Sequence, residues 1–152
     1  MKFFRLWIWQ KKIKNILVPL DGSKNSIRGL DEAIFLASEF HATITAIFAN
    51  DLPIVHTLHP MGFWNLNFKK EAKKIFDAAK TRAGKKGILL KHKIIDGYDP
   101  GYEIVRYSNR TKPKFDIIVV GSRGKGIAKE LFFGSVSNYI VHKASMPVLV
   151  VK

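Results

Sequence analysis

Two glycine-marked turns, one of them preceded by an unbroken aliphatic run, are the residues here whose type and spacing can do chemistry. Within residues 115–152 the chain places Gly121-Ser122-Arg123-Gly124, nine intervening residues at 125–133, and then Gly134-Ser135. Ile117-Ile118-Val119-Val120 stands immediately upstream, and the segment after Gly134 reads as a helix. A strand that ends in glycines and delivers the chain to a helix presents bare backbone N–H groups where the helix dipole favours negative charge. The chemistry this pattern supports is the binding of a phosphate or a similar anion. Asp21-Gly22-Ser23 follows a second apolar stretch at 13–20 and offers a carboxylate, either as a hydroxyl acceptor or as the anchor of an Asx-turn.

These turns require elements to hold them. Residues 13–20, 43–49, 89–95, 115–120 and 147–151 are apolar or β-branched and read as strands. Between them lie helical patterns. Ile27, Leu30, Ile34, Ala37 and His41 form one stripe, with Ser23 or Ser26 as cap; Phe68, Ala72, Ile75, Phe76, Ala79 and Ala83 form a second. Asp99-Pro100 opens a third helix as cap and first-turn proline, and the fourth begins near Gly134. Residues 50–67 contain Pro53, Pro60 and Gly62 without a clear period and predict a long connection that could act as a lid. Strands alternating with helices predict an α/β fold: a single-domain, open parallel sheet of five strands in the order 3-2-1-4-5, with helices on both faces. In such a sheet ligands sit beyond the C-terminal strand ends, at the point where the strand order reverses. The most apolar strands, the first and fourth, are the expected central neighbours, which brings Asp21 opposite the 121–135 loop. A carboxylate facing bare amides suits a nucleotide, with Asp21 on ribose hydroxyls and the glycines at the phosphates.

A chain of 152 residues supports one ordinary domain. No apolar run reaches the ~20 residues of a membrane span. The absence of cysteine excludes disulfides and thiolate chemistry, and is compatible with a cytoplasmic setting. The net charge of +14 is unevenly distributed: Lys2, Arg5, Lys11, Lys12 and Lys14 precede any acid, and residues 69–93 hold ten basic residues against Glu71 and Asp77. Such a field attracts polyanions. Residues 1–11 are both aromatic and basic, and Arg5 interrupts what a secretory signal would need as a continuous apolar core. They are read as an extension to a domain at 12–152. No G-x-x-x-x-G-K-[ST] motif occurs, and Gly124-Lys125-Gly126 lacks the third glycine of a dinucleotide fingerprint.

The pattern G-x-x-G, nine residues, G-[ST], present as Gly121, Gly124 and Gly134-Ser135, resembles the ATP-binding signature of the universal stress protein family. Ile16-Leu17-Val18-Pro19-Leu20-Asp21-Gly22-Ser23, Gly134-Ser135-Val136-Ser137 and Pro147-Val148-Leu149-Val150-Val151 agree with it in order and separation. The resemblance implies that Pro19 and Asp21 lie against ribose and that the chain around Phe48 presents backbone groups to adenine. It further implies that Gly121, Arg123 and Gly124 line ribose and phosphates, and that Gly134, Ser135, Val136 and Ser137 give amide and hydroxyl donors to the phosphates. Phe48 is bulkier than the aliphatic residue usual at its position, and so is expected to narrow the adenine slot or stack in it.

The implied ligand is ATP, or AMP or ADP, with Mg2+ carried by the phosphates and water. The implied assembly is a homodimer through the strand at 147–151, whose uncovered apolar edge invites pairing. Neither His41 nor His142 falls near the loops, and His56 and His59 have no third metal ligand beside them. The sequence therefore points to a regulatory stress-response protein that binds nucleotide, with at most slow hydrolysis. The alternatives are a basic adaptor, docking to nucleic acid or an acidic membrane surface through residues 1–11 and the lysine-rich second helix, and an adenylyl-transferring enzyme on the same scaffold.

Overall fold

The computed structural model describes residues 13–51, 61–126 and 133–152. Among the described residues strand and helix alternate: β1 (Asn15–Pro19), α1 (Lys24–Phe40), β2 (Thr43–Asp51), α2 (Met61–Gly84), β3 (Leu90–Gly97), α3 (Pro100–Arg110), β4 (Ile117–Gly121), α4 (Ser135–Lys143) and β5 (Val148–Val151). The strands form one sheet in the order β3-β2-β1-β4-β5, and every neighbouring pair is parallel. Strand order and class are those expected from the sequence. The continuous apolar character of β1 and β4 has its reason in this order: both are internal and covered on each face, so Ile16, Leu17, Val18, Ile118 and Val119 are fully buried.

Side-chain alternation divides the core in two. Ile16, Val18, Ile44, Ala46 and Val119 face Leu30, Ala33, Ile34 and Ala37 of α1 and Ala72, Phe76, Ala79 and Ala83 of α2. Leu17, Ile47, Ile118 and Val120 point the other way, onto Ile104 and Val105 of α3 and Ile140 of α4.

Local signals set the helix starts. Ser23 caps α1 by accepting a hydrogen bond from the Ser26 amide at 3.1 Å. Asp99 caps α3 by accepting one from the Tyr102 amide at 3.0 Å, with Pro100 next in line. His41 is not part of the packed stripe of α1; it ends the helix in the left-handed conformation, at φ 53°. The long connection expected over 50–67 is shorter, because β2 continues to Asp51 and α2 begins at Met61. Gly62 falls in the first helical turn, where the N–H groups have no intrahelical partner and a weak helix former is tolerated. The remainder of that connection, with His56, His59 and the proposed lid, lies outside the described residues, as does the extension at 1–11. Among the described residues no helix is long and apolar enough to cross a membrane.

Candidate functional site

β1 and β4 pair through Ile16↔Ile117 and Leu17↔Ile118, and beyond these contacts the chain leaves β1 toward one edge of the sheet and β4 toward the other. The resulting crevice holds a cavity of about 520 Å³. Pro19, Asp21, Gly121, Arg123, Gly124, Gly134, Ser135, Val136 and Ser137 all line it. Of the residues expected at the site, only Phe48 is absent from its wall. Successive side chains of β2 point to opposite faces, which places Ile47 and Ala49 in the cavity and turns Phe48 onto α2. There Phe48 is buried against Phe68, with ring centroids 4.8 Å apart, and against Phe76 at 6.4 Å. Its bulk fills the opposite layer, so its side chain neither narrows the cleft nor stacks in it.

Asp21 is committed on both oxygens. Oδ1 accepts the Ser23 amide at 2.9 Å, forming an Asx-turn, and Oδ2 accepts the Lys125 amide at 3.1 Å. The carboxylate therefore joins the turn after β1 to the turn after β4. Gly124 has no room for a side chain because an added Cβ would lie 2.5 Å from Asp21 Oδ2. Lys125 extends the tie to α2 through an ion pair with Glu71. Ser23 Oγ also donates to the Arg123 carbonyl at 3.4 Å, while among the described residues the Arg123 guanidinium has no carboxylate partner.

Across the crevice, α4 starts at Gly134 with no capping side chain. The Gly134 amide donates to the Ser122 carbonyl at 2.8 Å, and its own carbonyl accepts the Asn138 amide at 2.9 Å, so the first turn is held against the β4 loop. The amides of Ser135, Val136 and Ser137 are the first three of the helix, the donors an intrahelical ladder cannot satisfy. The Ser137 hydroxyl is a different matter. It is buried and approaches the Ser122 carbonyl at 2.8 Å and the Gly134 carbonyl at 3.0 Å, so its single proton is engaged within the protein. Of the expected donors at Ser137, the amide is the one left for a ligand.

Sequence reasoning did not identify Leu20, Ile47, Ala49, Pro100, Ile104 and Phe133, which supply the apolar part of the wall. For Ile47 and Ala49 the signal is weak, since residues 46–49 are apolar on both faces and their alternation does not reveal which face meets a ligand. Among the described residues no group of three or more metal-ligating side chains occurs.

An open parallel sheet with a largely apolar cleft at its switch point, and an uncapped helix N-terminus in the wall of that cleft, defines a doubly wound α/β protein. The universal stress protein family model matches residues 12–152, and the chain belongs to that family. Universal stress protein MJ0531 of Methanocaldococcus jannaschii is 34% identical over 142 residues, covering 91% of this chain and 82% of its own. Among solved structures, universal stress protein UspA from Lactobacillus plantarum superposes with a TM-score of 0.82 at 28% identity, covering 94% of this chain and 100% of that one. A family protein from Arabidopsis thaliana with AMP bound has a TM-score of 0.67 at 20% identity and covers 91% of each chain, a likeness of fold.

Proposed function

We propose that the cleft binds an adenine nucleotide, ATP above all, and that occupancy tunes the conformation or assembly of a cytoplasmic stress-response protein. The observation that carries this reading is the uncapped N-terminus of α4, whose open amides share one cavity with a fixed carboxylate and an arginine that has no carboxylate partner among the described residues. Phosphates fit the amides and Arg123, and the base fits the apolar wall of Ile47, Ala49 and Ile104. Family proteins solved with AMP, dAMP and cAMP share this fold, which supports the choice of adenine nucleotide. Both Asp21 oxygens already accept amides, so a magnesium ion accompanying ATP is held by phosphates and water with little help from the protein. The described cleft contains neither histidine nor a free carboxylate to activate water, which favours binding with at most slow hydrolysis.

Calorimetric titration is expected to show saturable ATP binding. Arg123→Ala should weaken it by about five- to tenfold, the loss of one charge-assisted contact at a partly exposed site, with a smaller effect on AMP. No heat of binding, together with no nucleotide in the supernatant of denatured protein, refutes the reading.

For the assembly, the outer edge of β5 is the feature of interest. Among the described residues β5 pairs with β4 only, and Leu149 is 37% exposed beside it. A two-fold dimer through this edge predicts a two-chain mass by analytical ultracentrifugation. A monomer at high protein concentration contradicts it.

A further inference from the structure

Lys125 stands where the turn after β1, the loop after β4 and the flank of α2 meet. Its amide donates to Asp21 Oδ2 at 3.1 Å, which fixes the backbone beyond Gly124 to the turn after β1. Its side chain runs past that turn: a Cβ added at Gly22 would lie 3.8 Å from Lys125 Cε and 3.0 Å from Ile75 Cδ1 of α2. The ammonium group then pairs with Glu71 of α2. Lys125 also lines the cleft, next to Gly124 and Gly126, and Glu71 does not. A cation in the wall of the cleft thus has its charge held by a carboxylate outside it.

The pair is weakly held. The Lys125 side chain is 55% exposed and that of Glu71 47%, so water screens both charges and little free energy opposes their separation. A flexible four-carbon stem on a fixed backbone lets the ammonium group move while the loop stays in place. Glu71 is not stranded by such a move, because Lys74 stands exposed one turn further along α2, at i+3. Nor does α2 need the pair for its packing, since Ala72, Phe76, Ala79 and Ala83 bury the helix against the sheet. The cleft is also graded in depth. Ser137 is buried and Gly134 half-buried at the start of α4, whereas Gly124, Lys125 and Gly126 are exposed at the rim. A first phosphate on the α4 amides leaves any further phosphates toward this rim.

We propose that Lys125 is the residue by which the cleft distinguishes ATP from AMP, exchanging Glu71 for the terminal phosphates, and that Glu71 is an internal competitor that holds ATP affinity down. This rests on the nucleotide reading given above. A terminal phosphate carries more negative charge than a carboxylate and three acceptor oxygens, so it is the stronger partner for the ammonium group. AMP ends at its first phosphate and leaves Lys125 on Glu71. ATP therefore opens the tie between the glycine loop and α2, and AMP does not. Arg123, with no carboxylate partner among the described residues, needs no such exchange.

Calorimetric titration of the full chain with ATP and with AMP, in one buffer, tests the proposal. Glu71→Gln should raise ATP affinity by about two- to fivefold, the contribution of an exposed ion pair, and leave AMP affinity unchanged. Lys125→Gln should lower ATP affinity by about five- to tenfold and AMP affinity by less than about twofold. In Glu71→Gln/Lys125→Gln the gain from Glu71→Gln should vanish, because no ammonium group remains to be freed. Urea midpoints of the three variants should match the wild type, which keeps changes in binding apart from changes in fold. A loss of ATP affinity in Glu71→Gln would overturn the proposal, assigning the pair to the framework that holds the loop. Equal losses of ATP and AMP in Lys125→Gln would overturn it too, as would a gain from Glu71→Gln that persists in the double variant and so reports repulsion at a distance. A wild-type protein that binds ATP without these differences removes the role of Lys125 alone. One that binds neither nucleotide removes the nucleotide reading and this inference with it.

Discussion

Gly121→Val is expected to unfold the protein or destabilise it by about 3 kcal/mol or more, read as a fall in the urea midpoint with the slope unchanged. Gly121 closes β4 where α1 crosses it. A Cβ there would lie 2.5 Å from the Asn25 carbonyl carbon, 2.6 Å from its oxygen and 2.7 Å from the Ser26 amide nitrogen. All three are backbone atoms in the first turn of α1, so no rotamer change relieves the overlap. The helix itself would have to lift. Gly29 comes within reach from the other side, since its own Cβ would meet the Gly121 amide at 3.2 Å. The first glycine of the G-x-x-G pattern is therefore a packing residue, and loss of ligand binding in this variant would report the fold. A Gly121→Val protein with a wild-type urea midpoint would show that the helix–strand approach is looser than these distances state.

Much of the fold was legible because the signals were local and mutually consistent. The apolar runs of β1 and β4 point to these two strands as central neighbours, and Ser23 and Asp99-Pro100 mark helix starts through hydrogen bonds made within three residues. The candidate site was legible on its polar side for the same reason: Asp21 and the glycines lie in turns, where residue type is dictated by backbone geometry. What escaped depends on contacts across layers. Which face of β2 meets the cleft is decided by Phe68 and Phe76 on α2 accepting Phe48, residues remote from it in sequence. The engagement of the Ser137 hydroxyl follows from where the Ser122 carbonyl lies, which the motif does not encode. Gly62 illustrates the opposite failure: as a loop signal it predicts a long connection, yet it falls in the first turn of α2, where a weak helix former is tolerated.

Gly134→Ala should leave the stability nearly unchanged and weaken nucleotide binding by about ten- to a hundredfold. An added Cβ at Gly134 meets nothing closer than the Arg123 Cα at 3.5 Å, the Gly124 amide nitrogen at 3.6 Å and the Ser122 carbonyl at 3.7 Å. These are ordinary contact distances, and φ at Gly134 is −74°, a conformation alanine adopts freely. The methyl group is therefore accommodated by the protein itself. Its position sets it between the start of α4 and the Gly124 amide, the gap a phosphate must enter to take donors from both turns. Steric exclusion there removes charge-assisted hydrogen bonds without touching the core, so the effect should be larger for ATP than for adenosine, which carries no phosphate. Calorimetry with both ligands separates the cases. Equal losses would assign the damage to the whole cleft, and an unchanged ATP affinity would place the phosphates elsewhere than at the α4 N-terminus.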